Sequence, residues 1–279
     1  MKKLALPIVL LLVTSLVFSA GCMGDDDMSS EGINGKLTIA GSSTLLPINQ
    51  ECARVLMDNN PNLRISVSGG GSGHGVKAVG SNEVDIGAAS RDVKSKEMEE
   101  YPSIKPVGIG LDSVAIVVHS SNSVGELTME DASRIFSGEI TNWNEVGGSD
   151  SDIHVVTRED GSGTRDVFEK FVIDPYEVEI AAEASVKPSN GEIRASVSRD
   201  ENSIGFVSLG YIDSSIKGVK IDGVEPAVEN VLSEDYKITR TLYLITNGEP
   251  DELEKAFIDF VLSEGGQEIV EDLGFIKVA

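Results

Sequence analysis

The sequence predicts an α/β fold in two lobes with a cleft between them. Short apolar runs at 37–40, 63–67, 84–88 and 153–156 alternate with stretches of helical period, the pattern of strands joined through helices. Two further apolar runs, 113–118 and 240–246, read as strands that cross from one lobe to the other. The chain has 279 residues, and the roughly 245 beyond an export leader and a polar tether are enough for two lobes with cores of their own.

The leader comes first. Lys2 and Lys3 precede an unbroken apolar run over 4–13 and small residues up to Cys22, the pattern of an export signal over 1–21. The run is too short and one-sided for a stable membrane-spanning helix. Ser19-Ala20-Gly21-Cys22 is similar to the cleavage site of lipoprotein precursors, after which Cys22 carries lipid. Ser19 stands where such sites usually have an aliphatic residue, so ordinary signal cleavage is the alternative. Residues 22–36, with Asp25, Asp26 and Asp27 in a row, lack an apolar period and read as a flexible tether. With Cys22 lipidated, Cys52 has no disulfide partner, and its place on an apolar helix face makes it a small core residue. A net charge of −23 argues against nucleic acid as a partner. An anionic ligand must therefore be held by local dipoles and a few cations.

Strand 37–40 runs into Gly41-Ser42-Ser43-Thr44 and a helix with Leu45, Ile48, Cys52, Val55 and Leu56 on one side. Pro47 suits its first turn, and Thr44 can cap it. Strand 63–67 leads to Ser68-Gly69-Gly70-Gly71-Ser72-Gly73-His74-Gly75 and a short helix from Val76. Gly70 and Gly75 have P-loop spacing, but Val76 stands where the phosphate-binding lysine belongs. The dinucleotide fingerprint fails as well, because Val76 follows Gly71 and Gly73 in place of glycine. His74 reads as a loop residue, and no histidine has metal-like spacing to another, so no metal is expected. Strand 84–88 ends in Ala89-Ser90-Arg91-Asp92, which puts a hydroxyl and a guanidinium at a strand's carboxyl end, where α/β sheets gather ligands.

After a polar break at 120–125, Thr128 caps a helix carrying Ala132, Ile135 and Phe136, and Trp143 reads as a packing residue. Then comes Arg158-Glu159-Asp160-Gly161-Ser162-Gly163-Thr164, preceded by apolar Ile153, Val155 and Val156 and followed by periodic Val167, Phe168 and Phe171. Strand, glycine turn and helix in that order aim backbone N–H groups and the positive end of the helix dipole at one spot. Ser162 and Thr164 add hydroxyls there and Arg158 a bidentate fork, which together make a socket for an oxyanion. Gly161 and Gly163 allow the sharp turn and close approach, and Asp160 is expected to hold the Arg158 guanidinium. The same residues by themselves also fit a plain glycine turn with a solvated Arg–Asp pair. Helix 192–197, a strand and turn over 204–211, and helices 252–262 and 267–273 complete the chain.

Six motifs in order resemble the phosphate-binding lipoprotein PstS family of ABC importers: Gly41-Ser42-Ser43-Thr44, Gly71-Ser72-Gly73-His74-Gly75-Val76-Lys77, Val84-Asp85-Ile86-Gly87-Ala88, Phe136-Ser137-Gly138-Glu139-Ile140-Thr141-Asn142-Trp143, residues 158–164 and residues 204–210. The resemblance implies a type II periplasmic-binding-protein fold, with lobe I over 37–115 and 242–279 and lobe II over 116–241, closing on the anion by a hinge. It implies inorganic phosphate bound by Ser43, Thr44, the N–H of Thr44 or Leu45, and Ser72 from one lobe, and by Arg158, Ser162, Gly163 and Thr164 from the other. Ser90 and Arg91 line the same site, and Asp160 steers Arg158. It further implies a monomer without cofactor or catalysis, anchored by Cys22 lipid to the outer face of the cytoplasmic membrane and serving ABC permease subunits.

One departure stands out. Several members carry aspartate where this chain has Ser90; such a carboxylate accepts the proton that phosphate keeps and repels fully ionised sulfate. Asp160, Glu192 or Asp92 is expected to supply that acceptor. The departure leaves sulfate, molybdate or tungstate as alternative ligands. A secreted serine hydrolase using Ser162 is a remoter alternative, since neither the local order nor the three histidines support it.

Overall fold

The computed structural model describes residues 33–278. The export signal, Cys22 and most of the tether lie outside the described residues.

Strand β1 (Gly35–Gly41) is followed by α1 (Leu46–Asn59), β2 (Leu63–Gly69), α2 (Ser72–Gly80), β3 (Ile86–Ala89) and α3 (Ser95–Glu100). Then come β4 (Ile104–His119), β5 (Glu126–Leu127), α4 (Met129–Phe136), β6 (His154–Arg158) and α5 (Gly163–Phe168). The chain continues through β7 (Ser185–Lys187), α6 (Asn190–Val197), β8 (Ser203–Ser208), β9 (Ile216–Gly218), β10 (Lys220–Ile221) and α7 (Val228–Leu232). It closes with β11 (Thr239–Asn247), α8 (Glu252–Leu262) and α9 (Glu264–Asp272).

The main sheet has the order β2-β1-β3-β11-β4-β8-β6-β7, with β9 also on β4. Its long member, β4, pairs antiparallel with β11 as far as Ser113, opposite Thr239, and from Val114, opposite Ser208, it pairs with β8. Residues 114–118 of β4 are all fully buried, as expected of a strand covered on both faces.

Two cores flank the change. One gathers Leu37, Ile39, Ile48, Cys52, Leu244 and Phe257; the other gathers Phe136, Trp143, Phe168 and Phe206. The Phe168 ring stacks on Phe206 with centroids 4.0 Å apart. Trp143 is a packing residue as its sequence context suggests, its indole N–H donating to the Asn202 carbonyl at 3.0 Å. Burial pushes the Cys52 thiol up to about 12, so it packs as an apolar group.

Several local expectations shift. β1 starts at Gly35, inside the stretch read as tether, because Gly35 and Lys36 pair with Leu63 and Arg64. Thr44 does not cap α1: Leu45 occupies the N-cap position without a side-chain bond. α2 starts at Ser72, four residues before the expected Val76, so that His74 is helical. The turn itself is made by Gly70 and Gly71 (φ 158° and 81°). Gly75 has a different task, since a Cβ there would lie 2.4 Å from the Ala88 carbonyl oxygen. Its absence lets α2 lie directly on β3. After Phe168 the expected helix continues only as a π turn, Glu169–Ile173.

Candidate functional site

The carboxyl ends of β1, β2, β3 and β6 deliver their residues to one place. Ser42, Ser43 and Thr44 follow β1, Ser72 opens α2, Ser90 follows β3, and Ser162 and Thr164 follow β6. All are at most 4% exposed. Thr44 Oγ1 lies 3.3 Å from Thr164 Oγ1 across a sequence separation of 120 residues. A Cβ on Gly163 would fall 2.3 Å from Ser72 Oγ and 2.9 Å from Ser90 Oγ. The Gly73 N–H donates to the Gly161 carbonyl at 3.0 Å. Ser43, Thr44, Ser72, Ser90, Gly163 and Thr164 are therefore brought together.

Leu45 contributes differently, because its N–H donates to the Ser42 carbonyl and that of Thr44 to Ser42 Oγ, both at 3.2 Å. Ser162 caps α5 by accepting from the Arg165 N–H at 3.2 Å. Ser90 Oγ sits between Ser42 Oγ at 2.8 Å and Ser72 Oγ at 3.4 Å. Ser90 is thus one of three hydroxyls gathered at the end of β3, and no carboxylate among the described residues is bonded to its Oγ.

Arg158 is fully buried, and its partner is Glu159, whose two oxygens accept from Nε and Nη2 at 2.8 Å each. This corrects the expected role of Asp160, whose side chain is 96% exposed and pairs with Arg165 at 2.8 Å. The positive φ of Gly161 (81°) turns the loop just past Asp160, and the Asp160 carboxylate stays in solvent while the longer Glu159 side chain reaches back to its neighbour. Arg91 also departs from expectation as an anion ligand. Its guanidinium donates to Glu97 at 2.7 and 2.8 Å and to the Asp92 carbonyl at 2.8 Å. Its Nε meets Asp166 at 2.6 Å as a charge contact without hydrogen-bond alignment.

None of the three expected acceptors faces the cluster. Asp160 and Glu192 are exposed, and Asp92 is exposed and accepts from the Tyr243 hydroxyl at 2.8 Å.

The structure adds residues that sequence reasoning missed. Arg240 on β11 donates from Nη1 to Thr164 Oγ1 at 2.9 Å and from Nη2 to Thr44 Oγ1 at 3.0 Å. Its other bonds go to Asp112 on β4, from Nε at 2.8 Å and Nη2 at 2.6 Å. Burial lowers the Arg240 pKa and the Asp112 carboxylate opposes that shift, so the guanidinium stays charged. Asn190 donates from Nδ2 to Ser43 Oγ at 3.3 Å and to Thr44 Oγ1 at 3.0 Å. The Tyr211 hydroxyl donates to the Ser43 carbonyl at 2.5 Å. A signal existed for the first pair: a charge within each crossing strand must find an opposite charge once buried.

Chemically, the cluster offers buried donors and two guanidiniums, each balanced by one carboxylate. Among the described residues, no three His, Cys, Asp or Glu side chains are grouped to hold a metal. His119 and His154 are engaged at Ser121 and Asp200.

A model of the PBP superfamily domain matches residues 28–265. The chain is 32% identical to the phosphate-binding protein PstS of Bacillus subtilis, with 100% of this chain and 95% of that one aligned. It is 30% identical to the phosphate-binding protein PstS of Borreliella burgdorferi, with 100% and 99% aligned. Among solved structures, it is similar to a Clostridium perfringens protein with bound phosphate, described as a phosphate ABC transporter substrate-binding protein. There the TM-score is 0.83 and the identity 38%, over 88% of this chain and 100% of that one. An ABC-type phosphate transport receptor from Vibrio cholerae gives a TM-score of 0.70 at 30% identity, over 87% and 100%.

Proposed function

Because the chain belongs to the PstS family of phosphate-binding proteins and has their type II periplasmic-binding-protein fold, we propose that it captures inorganic phosphate outside the cytoplasm and hands it to an ABC import permease. The observation that carries this reading is the buried meeting of Ser43, Thr44 and Ser72 with Gly163 and Thr164, centred on the 3.3 Å approach of Thr44 and Thr164. Hydroxyl and N–H donors with guanidinium charge behind them suit a tetrahedral oxyanion.

In this reading, β4 and β11 are the hinge between a lobe of residues 37–115 with 242–279 and a lobe of residues 116–241. Opening at β4 and β11 admits the ligand. Ser43, Thr44, Ser72, Ser90, Arg158, Ser162, Gly163 and Thr164 line its site. The protein acts as a monomer without catalysis, held to the outer face of the membrane by lipid on Cys22. Among the described residues, no helix is long and apolar enough to cross a membrane.

Calorimetric titration of the ligand-stripped chain with phosphate, sulfate and molybdate tests the reading. One-site phosphate binding that persists in excess sulfate is the expected result, and a chain that binds no phosphate would overturn it. Ser90 favours a second reading, in which the same site selects another tetrahedral oxyanion; preference for sulfate or molybdate in that titration would establish it.

A further inference from the structure

Arg240 and Asn190 stand where they decide which way the hydroxyls of the cluster send their protons. A hydroxyl has one proton to donate and two lone pairs to fill. At Thr44 Oγ1 both lone pairs are taken, by Arg240 Nη2 and Asn190 Nδ2 at 3.0 Å each. At Ser43 Oγ both are taken by the N–H and Nδ2 of Asn190, at 3.3 Å each. Thr164 Oγ1 receives Arg240 Nη1 at 2.9 Å.

These donors cannot reverse. A guanidinium has no acceptor, and the Asn190 amide is oriented by its Oδ1, which accepts the Ser208 N–H at 3.0 Å. Arg240 is in turn fixed by Asp112, whose second oxygen accepts from Ser208 Oγ at 3.0 Å. The bonds to Asp112, Thr44 and Thr164 occupy four of the five guanidinium N–H groups. The influence of Arg240 on a ligand therefore runs mainly through the two threonines.

We infer that Arg240 and Asn190 are positioning residues that make the Ser43 and Thr164 hydroxyls proton donors toward the bound oxyanion, while Thr44, its lone pairs filled, gives its proton to Thr164 Oγ1 at 3.3 Å and fills the second lone pair there. The inference rests on the phosphate-receptor reading and extends it to residues that need not touch the ligand. Its consequence is directional. The side of the site facing these hydroxyls takes ionised oxygens and rejects a protonated one, because no lone pair is left at Ser43 or Thr164 to accept a proton.

The test is a pair of double-mutant cycles on the full exported chain, read by calorimetric titration with inorganic phosphate. Arg240→Lys keeps the charge but loses the fork that reaches both threonines. Arg240→Lys and Thr164→Val are each expected to weaken binding by about tenfold, and the double variant to bind far better than the product of the two losses. Asn190→Ala with Thr44→Val forms the second cycle, which decides the matter should Arg240→Lys fail to fold in a ligand-free melting control. Losses that multiply in the cycles, or Arg240→Lys binding as tightly as the unsubstituted chain, would overturn the inference while leaving the receptor reading intact. Absence of phosphate binding by the unsubstituted chain would remove that reading and the inference with it.

Discussion

Asp112 and Arg240 are cross-strand partners in the register of β4 and β11, and their side chains meet at 2.6 Å with neither reaching solvent. The pair ties β4 to β11 at the point where β4 exchanges β11 for β8 as its partner. It also stands directly behind Thr44 and Thr164.

Removing one member of such a pair leaves a charge stranded in a low-dielectric interior, a loss of about 3–5 kcal/mol. Asp112→Ala is therefore expected to lower the free energy of unfolding by about that amount. Urea denaturation of the ligand-free protein checks this, and an unmoved midpoint would show that the pair carries no such strain.

Gly163 admits no side chain while Ser72 and Ser90 stay where they are, since its Cβ would lie 2.3 Å from Ser72 Oγ. Gly163→Ala should hold the two sides of the site apart and weaken phosphate binding by more than about tenfold, the loss of more than one hydrogen bond. Titration measures this directly; retained affinity would mean that the ligand does not need that close approach.

Glu159 and Asp160 are adjacent carboxylates with different consequences. Glu159→Gln removes the bidentate partner of a fully buried guanidinium, and phosphate affinity should fall by about tenfold. Asp160→Asn touches only an exposed pair with Arg165, of the kind that contributes about 0–1 kcal/mol, and affinity should hold. Equal losses in the two variants would contradict the assignment of Glu159.

Acid stability should depend on Glu97. Burial by itself raises its carboxyl, but the Arg91 guanidinium and the Lys94 N–H outweigh burial and hold it below the usual carboxylate range. A carboxyl depressed in the folded state stabilises the fold above its unfolded pKa, about 4.3. That contribution is lost as pH falls through the lower folded value. Urea midpoints between pH 7 and 3 should therefore drop in acid, and Glu97→Gln should lower the neutral value and flatten the drop. An acid limb as steep in the variant would remove Glu97 from the cause.

The alternation of apolar runs with helical period, the glycine turns and the Ser, Thr and Arg residues beside them were legible in the chain, because backbone conformation and amphipathic faces are encoded by near neighbours. Thr128 as a cap, Cys52 as a core residue and Trp143 as packing follow from that same local code. β5, β7, β9 and β10 were not legible. Each spans two or three residues and exists only through its pairing partner.

What the sequence determined by itself is thus the class of fold, the hydroxyl-rich turns and the kind of ligand they suit. The tertiary structure decided that Glu159 and not Asp160 holds Arg158, that Arg91 is spent on Glu97 and Asp166, and that Arg240, Asp112 and Asn190 stand behind the threonines. The reason is physical. A side chain's partner across 76, 128 or 146 positions of sequence is set by strand register and by which groups are buried together, and neither leaves a periodic trace in the residues on either side.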